Sequence, residues 1–392
     1  MLTEPTRARL PLVNICTGAG ITHCDGQSLS AGFTEVDVQP TLKYPNMEAE
    51  AQEIAHTKTA YISVLAVVSA FSVVMLHFNG VFWSHPAGRL WITANIIESI
   101  FYFAVPVFFM ISGCTLIDYR DRYSTKTYFC KRIRKTLIPF VIWSLAAYVY
   151  CSLTTRGFEI NPIRILIKIF NYNYLYIYWF FIPLFSIYMC IPVLNRISDK
   201  ARIFPYMLVL ALVFNSINPW LNAQGVDAMP KAMTFPICAG YLIYPVLGYV
   251  LRNVDFSKPF RTIIYIVGMA SLAVHFTTTL NSDASGPIVT IFKDYMCFTT
   301  ILYATALFVF FKYNSNRILD KLKLYTLINY IKPTTLGIYL THIYVYDLIC
   351  RLGVPNSSWV LRTAGAMLSF IALAAIIRVI QKTKVGRVLL PL

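Results

Sequence analysis

Charged side chains are scarce in this sequence. Asp, Glu, Lys and Arg make up 13% of its 392 residues, where a soluble domain carries about a quarter. Acids are the scarcer sign, with 18 Asp and Glu against 34 Lys and Arg, a formal net charge of +16. Nine cysteines are present, but none forms a CxxC pair. The odd count and scattered spacing exclude a disulfide framework and a zinc pattern, so no metal is expected. No basic stretch followed by an apolar run opens the chain, so no signal peptide is read there. Strand-period alternation is also absent, and no repeat relates the two halves.

What fills the sequence is apolar. Hydrophobic residues reach 57% and aromatics 15%, with a mean hydropathy of +0.58. So little charge cannot cover the surface of a soluble protein of this size. A disordered chain, a small disulfide scaffold and an ordinary cytosolic enzyme are excluded. From Ala60 onward, ten apolar runs are long enough to cross about 30 Å of hydrocarbon as helices. They cover about 60–83, 90–117, 136–154, 174–194, 204–221, 233–251, 262–280, 288–311, 333–353 and 358–380. Backbone polar groups must be satisfied inside lipid, so helices are expected. The expected fold is all-α, a polytopic membrane protein of about ten transmembrane helices embedded in a lipid bilayer.

The charge excess then reports orientation rather than nucleic acid. Connections between alternate spans gather 22 Lys and Arg on one side and seven on the other. The richer side is cytoplasmic by the positive-inside rule. Both termini fall on it, which agrees with an even number of spans. Residues 1–57 stand apart: they are Gly, Thr and Pro rich, with a net charge of −4. They are expected to form a flexible cytoplasmic tail, an over-extended start assignment being the alternative. Residues 58–392 form the membrane domain. Between the third and fourth runs, Gly157–Asn173 mixes Ile and Leu with Arg164 and Lys168, as an interfacial helix or an exposed loop would.

Ionisable residues inside spans are costly and are candidate functional groups. They are His77, Glu98, His275, Lys293, Asp294, His342 and Asp347. Helix rise puts His77 about 9 Å and Glu98 about 12 Å from the outer ends of their spans. A carboxylate at matched depth can orient an imidazole as a general base. An interior histidine bonded to a neighbouring helix is the simpler alternative. Lys293 and Asp294 read most simply as a local or interhelical ion pair. A basic run, Lys131-Arg132-Ile133-Arg134-Lys135, stands at the cytoplasmic mouth of the third span. It suits a phosphate-rich cofactor, and it equally suits a plain topology signal.

Five segments resemble a known family, the acyltransferase-3 family of integral-membrane O-acyltransferases. They are Val73–Gly80 around His77; Val105–Gly113, with Pro-x-Phe-Phe-x-x-Ser-Gly through Ser112; and Lys131–Phe140. Tyr178–Phe181, containing Trp179, and Leu336–His342 complete the set. The resemblance covers about 58–380. It implies transfer of an acyl group from acetyl-CoA, or another acyl-CoA, to a hydroxyl of a cell-surface or lipid-linked glycan. The setting it implies is the inner (plasma) membrane, with a homo-oligomer left open. His77 carries over as the catalytic residue, with Glu98 as its orienting partner on geometric grounds. Arg132, Arg134 and Lys135 carry over as acyl-CoA residues. His342, Trp179 and Ser112 are further candidates. One departure is notable: the family's arginine eleven residues before the histidine is Ala66 here. An impaired enzyme, or a substitute cation such as Lys58 or Lys293, would follow. A sugar or lipid transporter is the rival class, suggested by Pro106, Pro183, Pro236 and Pro245 within the spans.

Overall fold

A computed structural model gives the fold. It describes residues 45–391 except 156, 199–201, 231–232 and 284–285, with side chains from Thr59 onward except that of Thr155. Of the expected tail at 1–57, residues 1–44 and the side chains of 45–57 lie outside the described residues, and the backbone of 45–57 is helical. Apart from the first five residues of the first helix, everything below belongs to the unit Glu50–Leu392.

The described residues are helical almost throughout. In chain order the α-helices are α1 (Pro45–Phe78), α2 (Gly88–Phe101), α3 (Ala104–Leu116), α4 (Thr125–Arg132), α5 (Ile138–Thr155) and α6 (Pro162–Phe170). Then come α7 (Phe181–Ile197), α8 (Ile203–Leu212), α9 (Asn218–Ala223), α10 (Ile243–Asn253) and α11 (Lys258–Leu280). The last are α12 (Phe298–Leu322), α13 (Tyr325–Ile331), α14 (Thr335–Arg351), α15 (Ala366–Ile380) and α16 (Lys384–Leu389). Single π-helical turns join α4 to α5 and α8 to α9, and another leads into α15. Such turns re-phase a helix without breaking its internal hydrogen bonding.

Seven helical stretches among the described residues are long and apolar enough to cross a membrane. They are Thr59–Phe78, Gly88–Leu116, Thr125–Thr154, Tyr176–Ile197, Ile203–Ala223, Lys258–Leu280 and Leu361–Ile380. The other three expected runs take interrupted forms. The run at 233–251 begins with two 3-10 turns, and only α10 is regular. Gly240 has φ +57° there, a conformation that ends one turn and starts the next. The run at 288–311 enters through a 3-10 turn before α12, and that at 333–353 enters α14 through Lys332–Thr334. Composition alone cannot foresee these irregular entries. The Gly157–Asn173 stretch contains α6, capped by Asn161, whose Oδ1 accepts from the amides of Ile163 and Arg164 at 2.9 and 3.2 Å. Ile163, Leu166, Ile167 and Phe170 form its exposed apolar face, the spacing of one helical stripe. Lys168 donates to Glu159 at 3.2 Å, and this holds the Glu159 carboxyl below the ordinary carboxylate range.

One helix pair sets the backbone separation around the core. α3 packs on α10, as α11 does on α12. A Cβ on Gly113 would lie 1.9 Å from the Pro245 carbonyl oxygen, and one on Gly248 would lie 2.2 Å from that of Met110. The two backbones touch because neither residue has a side chain, the usual device where apolar helices gain no hydrophobic drive against lipid. The Cys114 thiol donates to the Gly248 carbonyl at 3.0 Å across the same seam. All seven described cysteines are free.

Gly113→Ala and Gly248→Ala should each destabilise the protein by about 1–3 kcal/mol through overpacking against backbone. Thermal unfolding in detergent should show a lowered midpoint for both. An unchanged midpoint in either variant would contradict the close seam.

Candidate active site

The chain brings its two strongest histidine candidates into contact. His77 stands in the last turn of α1 and His342 near the middle of α14. His342 Nε2 lies 2.9 Å from His77 Nδ1, across 265 residues of sequence. Their ring centroids are 4.8 Å apart. Each ring is also tied to its own helix: His77 Nδ1 is 2.9 Å from the Val73 carbonyl, and His342 Nδ1 is 3.0 Å from that of Ile338.

These contacts define the tautomers. A carbonyl oxygen only accepts, so each Nδ1 must carry the hydrogen. A neutral His342 then has a lone pair on Nε2, which accepts from His77. The His77 hydrogen is shared between Val73 and His342, and His77 Nε2 is left unprotonated. Unlike a buried imidazole with both nitrogens engaged, His77 keeps one basic atom without a hydrogen-bond partner among the described residues.

His77 lines a cavity of about 590 Å³, within the range of small-molecule sites. The walls are largely aromatic. Trp179 stacks on Tyr295 with centroids 5.6 Å apart, and Tyr295 stacks on Tyr102 at 4.8 Å. Tyr176 meets the His77 ring edge-on at 5.9 Å. Glu98 lines the same cavity and is only 3% exposed. It does not bond to His77, however; the orienting partner is His342. The two residues share a chamber, but α2 turns the Glu98 carboxylate toward Asn79, whose Nδ2 lies 3.5 Å from Oε2.

The expected Lys293–Asp294 ion pair is not present. Lys293 Nζ instead donates to Asn95 Oδ1 at 2.6 Å and lies 4.9 Å from the Phe82 ring centroid. Asp294 Oδ1 accepts from the Met296 amide at 2.6 Å. Consecutive side chains leave the chain in different directions, and the 3-10 turn at Ile291–Lys293 buries the lysine alone. His275 is buried away from the cavity, with Nε2 3.4 Å from Thr300 Oγ1. Asp347 accepts from Arg351 at 2.6 Å and from the Tyr150 hydroxyl.

A second cavity of about 220 Å³ adjoins the first. Tyr339 borders both. Ala66 and Ser112 line this second space, and it reaches Thr136 and Tyr188. Ser112 is therefore not beside His77; its hydroxyl donates back to the Phe108 carbonyl at 3.2 Å. Lys293 is no substitute for a cation at Ala66, since it points to Asn95. The Lys58 side chain lies outside the described residues. Beyond Tyr188 stands the basic run. The Arg132 guanidinium carbon is 5.5 Å from the Tyr188 ring centroid and 5.9 Å from that of Tyr128, in cation–π range. Its Nε is buried without a protein partner. Arg134 and Lys135 are exposed, turned out by the π-helical turn Ile133–Leu137. An orphaned guanidinium donor flanked by two exposed cations is the donor set a phosphate group requires. No group of three or more His, Cys, Asp or Glu that could hold a metal ion occurs among the described residues.

Sequence reasoning misses one buried cation. Arg362, counted among the sparse outer-side charges, is 2% exposed. Its position inside an apolar run, after Trp359, is the available signal.

Fold and site together define a class: an all-α, membrane-embedded protein with a histidine pair in an aromatic interior cavity and a cation cluster beyond it. Sequence comparison narrows that class. The chain belongs to the acyltransferase-3 family, whose sequence model, described as an acyltransferase domain, matches residues 59–379. No curated protein and no solved structure matches it. Membership implies a general acyl-transfer function with an acyl-CoA-type donor.

The tautomer assignment is open to measurement. In protein labelled with ¹⁵N-histidine, His77 should show a protonated Nδ1 and an unprotonated Nε2 near neutral pH, with the resonance identified by its loss in His77→Gln. A protonated Nε2 would contradict the assignment.

Proposed function

We propose that this protein is a membrane O-acyltransferase. It moves an acetyl group, or another short acyl group, from acyl-CoA to a hydroxyl of a cell-surface or lipid-linked glycan. The observation that carries this reading is the contact of His77 with His342 on the wall of an aromatic cavity, from which an unprotonated His77 Nε2 follows. In this reaction Nε2 takes the proton of the acceptor hydroxyl. The hydroxyl oxygen bonds to the thioester carbonyl carbon, and the carbon–sulfur bond breaks. The proton on His77 then passes to the departing thiolate, giving an ester and free CoA. His342 stabilises the transient imidazolium by accepting from its Nδ1–H.

Arg132, Arg134 and Lys135 hold the CoA phosphates at the basic end, which positive-inside asymmetry assigns to the cytoplasm of the inner (plasma) membrane. The acyl arm reaches the histidines past Tyr339 by way of the second cavity. Aromatic faces such as Trp179 suit the apolar faces of sugar rings, and Glu98 suits their hydroxyls. Ala66 supports a narrower second reading, an impaired homologue, because the second cavity lacks a cation at that position.

One assay separates these readings. Membranes containing the protein are incubated with labelled acetyl-CoA, and label in glycan is counted. Wild type should transfer label. His77→Ala should lower the rate about 10²- to 10⁴-fold, the usual worth of a general base, and Arg132→Ala should chiefly raise KM for acetyl-CoA. Full activity in both variants would contradict the proposal. Transfer that appears only in Ala66→Arg would establish the impaired homologue.

A further inference from the structure

A polar cluster lies beside the histidine cavity, and the transfer mechanism above leaves most of it without a task. Arg362, Asn79, Glu98, Asn95 and Lys293 are each at most 3% exposed. Groups of this kind are expensive inside a membrane domain and persist where they serve a site. Two of them are cations and one is an anion, yet no ion pair joins them directly among the described residues. Asn79 stands between Arg362 and Glu98, and Lys293 is bonded to Asn95.

The hydrogen bonds run in one direction. Arg362 Nη1 donates to Asn79 Oδ1 at 3.2 Å, and Nη2 donates to Thr93 Oγ1 at 3.1 Å. A guanidinium has donors only, so it holds the Asn79 oxygen toward itself. The Asn79 amide nitrogen then points the other way. It donates to the Ala94 carbonyl at 2.9 Å and approaches Glu98 Oε2 at 3.5 Å. A flipped amide would set NH₂ against guanidinium and oxygen against carbonyl, which is unfavourable on both sides. On the same face of α2, Lys293 fixes Asn95, whose Nδ2 donates to the Phe276 carbonyl at 2.8 Å.

Glu98 is the end of this relay and the member that lines the cavity. Its carboxylate receives one hydrogen bond, the long contact from Asn79, and the Lys293 charge acts on it only beyond ion-pair distance. The other oxygen has no hydrogen-bond partner among the described residues. A buried carboxylate so poorly satisfied is costly, and a ligand with hydroxyl donors would repair it. Asn79 also sits two residues beyond His77, so the relay fixes the end of the helix that carries the histidine.

We propose that Arg362 is a positioning residue which, through Asn79, presents the Glu98 carboxylate to the cavity as the anchor for a second hydroxyl of the acceptor. The acceptor class is therefore a polyol: one hydroxyl goes to His77 Nε2 and another to Glu98. This rests on the acyl-transfer reading and adds to it a substrate requirement and a residue that touches no substrate.

The test moves the carboxylate from position 98 to position 79. In the double variant Asn79→Asp with Glu98→Gln, the new carboxylate pairs with Arg362, and the new amide at the cavity wall donates back to it. The net charge and the contacts from Arg362 through position 79 to position 98 are kept, while the bond from position 79 to the Ala94 carbonyl is lost, because a carboxylate has no donor. Thermal unfolding in detergent checks the fold, and labelled acetyl-CoA with octyl β-glucoside and its monodeoxy analogues gives the kinetics. The expected result is a folded protein with a lowered melting midpoint, a KM for octyl glucoside raised tenfold or more, and a much smaller change in kcat. Wild type should bind one deoxy analogue about tenfold more weakly, while Glu98→Gln should not distinguish it from the parent sugar. Arg362→Lys, which keeps the charge and a donor, should lie between wild type and the double variant in KM. A double variant with wild-type KM, or wild type indifferent to every deoxy position, would overturn the anchor. If the double variant fails to fold through loss of the Ala94 bond, Glu98→Gln alone decides, and a wild-type KM in that variant would overturn the anchor. Wild type that acylates none of these sugars would instead overturn the acyl-transfer reading itself.

Discussion

Two backbone carbonyls, those of Val73 and Ile338, govern the chemistry of this interior. Each lies one helical turn before a histidine and claims the hydrogen of its Nδ1. The 2.9 Å contact between the rings therefore has one consistent pattern, with His77 donating and His342 accepting. All that follows for the site comes from that pattern. Had His77 Nδ1 faced a donor instead, its lone pair would sit there, and Nε2 would be a hydrogen-bond donor rather than an acceptor. Ordinary helical hydrogen bonding thus decides which nitrogen meets the aromatic chamber.

The remainder of the fold keeps that contact in place under the constraints of an apolar solvent. Polar groups away from water need internal partners. The chain meets this with side chains that reach across helices: Arg362 to Asn79, Lys293 to Asn95, and Asn195 to the Ile117 carbonyl at 2.8 Å. Apolar contact gives little preference for one helix partner over another in lipid, so shape must supply it. Gly113 and Gly248 do so by letting two backbones meet. The Ser-Gly pair of the second family segment accordingly has a structural reason at its glycine, whereas Ser112 faces the smaller cavity.

Much of this is legible in the sequence. Low charge, long apolar runs and clustered basic residues lead to an all-α membrane domain, and five short segments lead to its family. What cannot be read is direction around each helix axis. Rise per residue gives depth, and so places His77 and Glu98 at comparable levels. It does not say that His77 turns toward α14 while Glu98 turns toward Asn79. The same gap explains Lys293, which sequence order pairs with its neighbour and the fold bonds to Asn95. Charge counting treats Arg362 as a loop charge because it assumes that basic residues near span ends lie in water. The irregular starts of three runs go unread for a related reason: hydropathy does not register a 3-10 entry or a glycine at positive φ.

The central claim is that the protein places acyl groups on sugar hydroxyls. Mass spectrometry of cell-surface glycans, from cells with and without the gene, tests it most directly. The expected result is the loss of one acyl mass from a defined glycan, restored by the wild-type gene and not by a His77→Ala copy. Glycans of identical mass in all strains would contradict it.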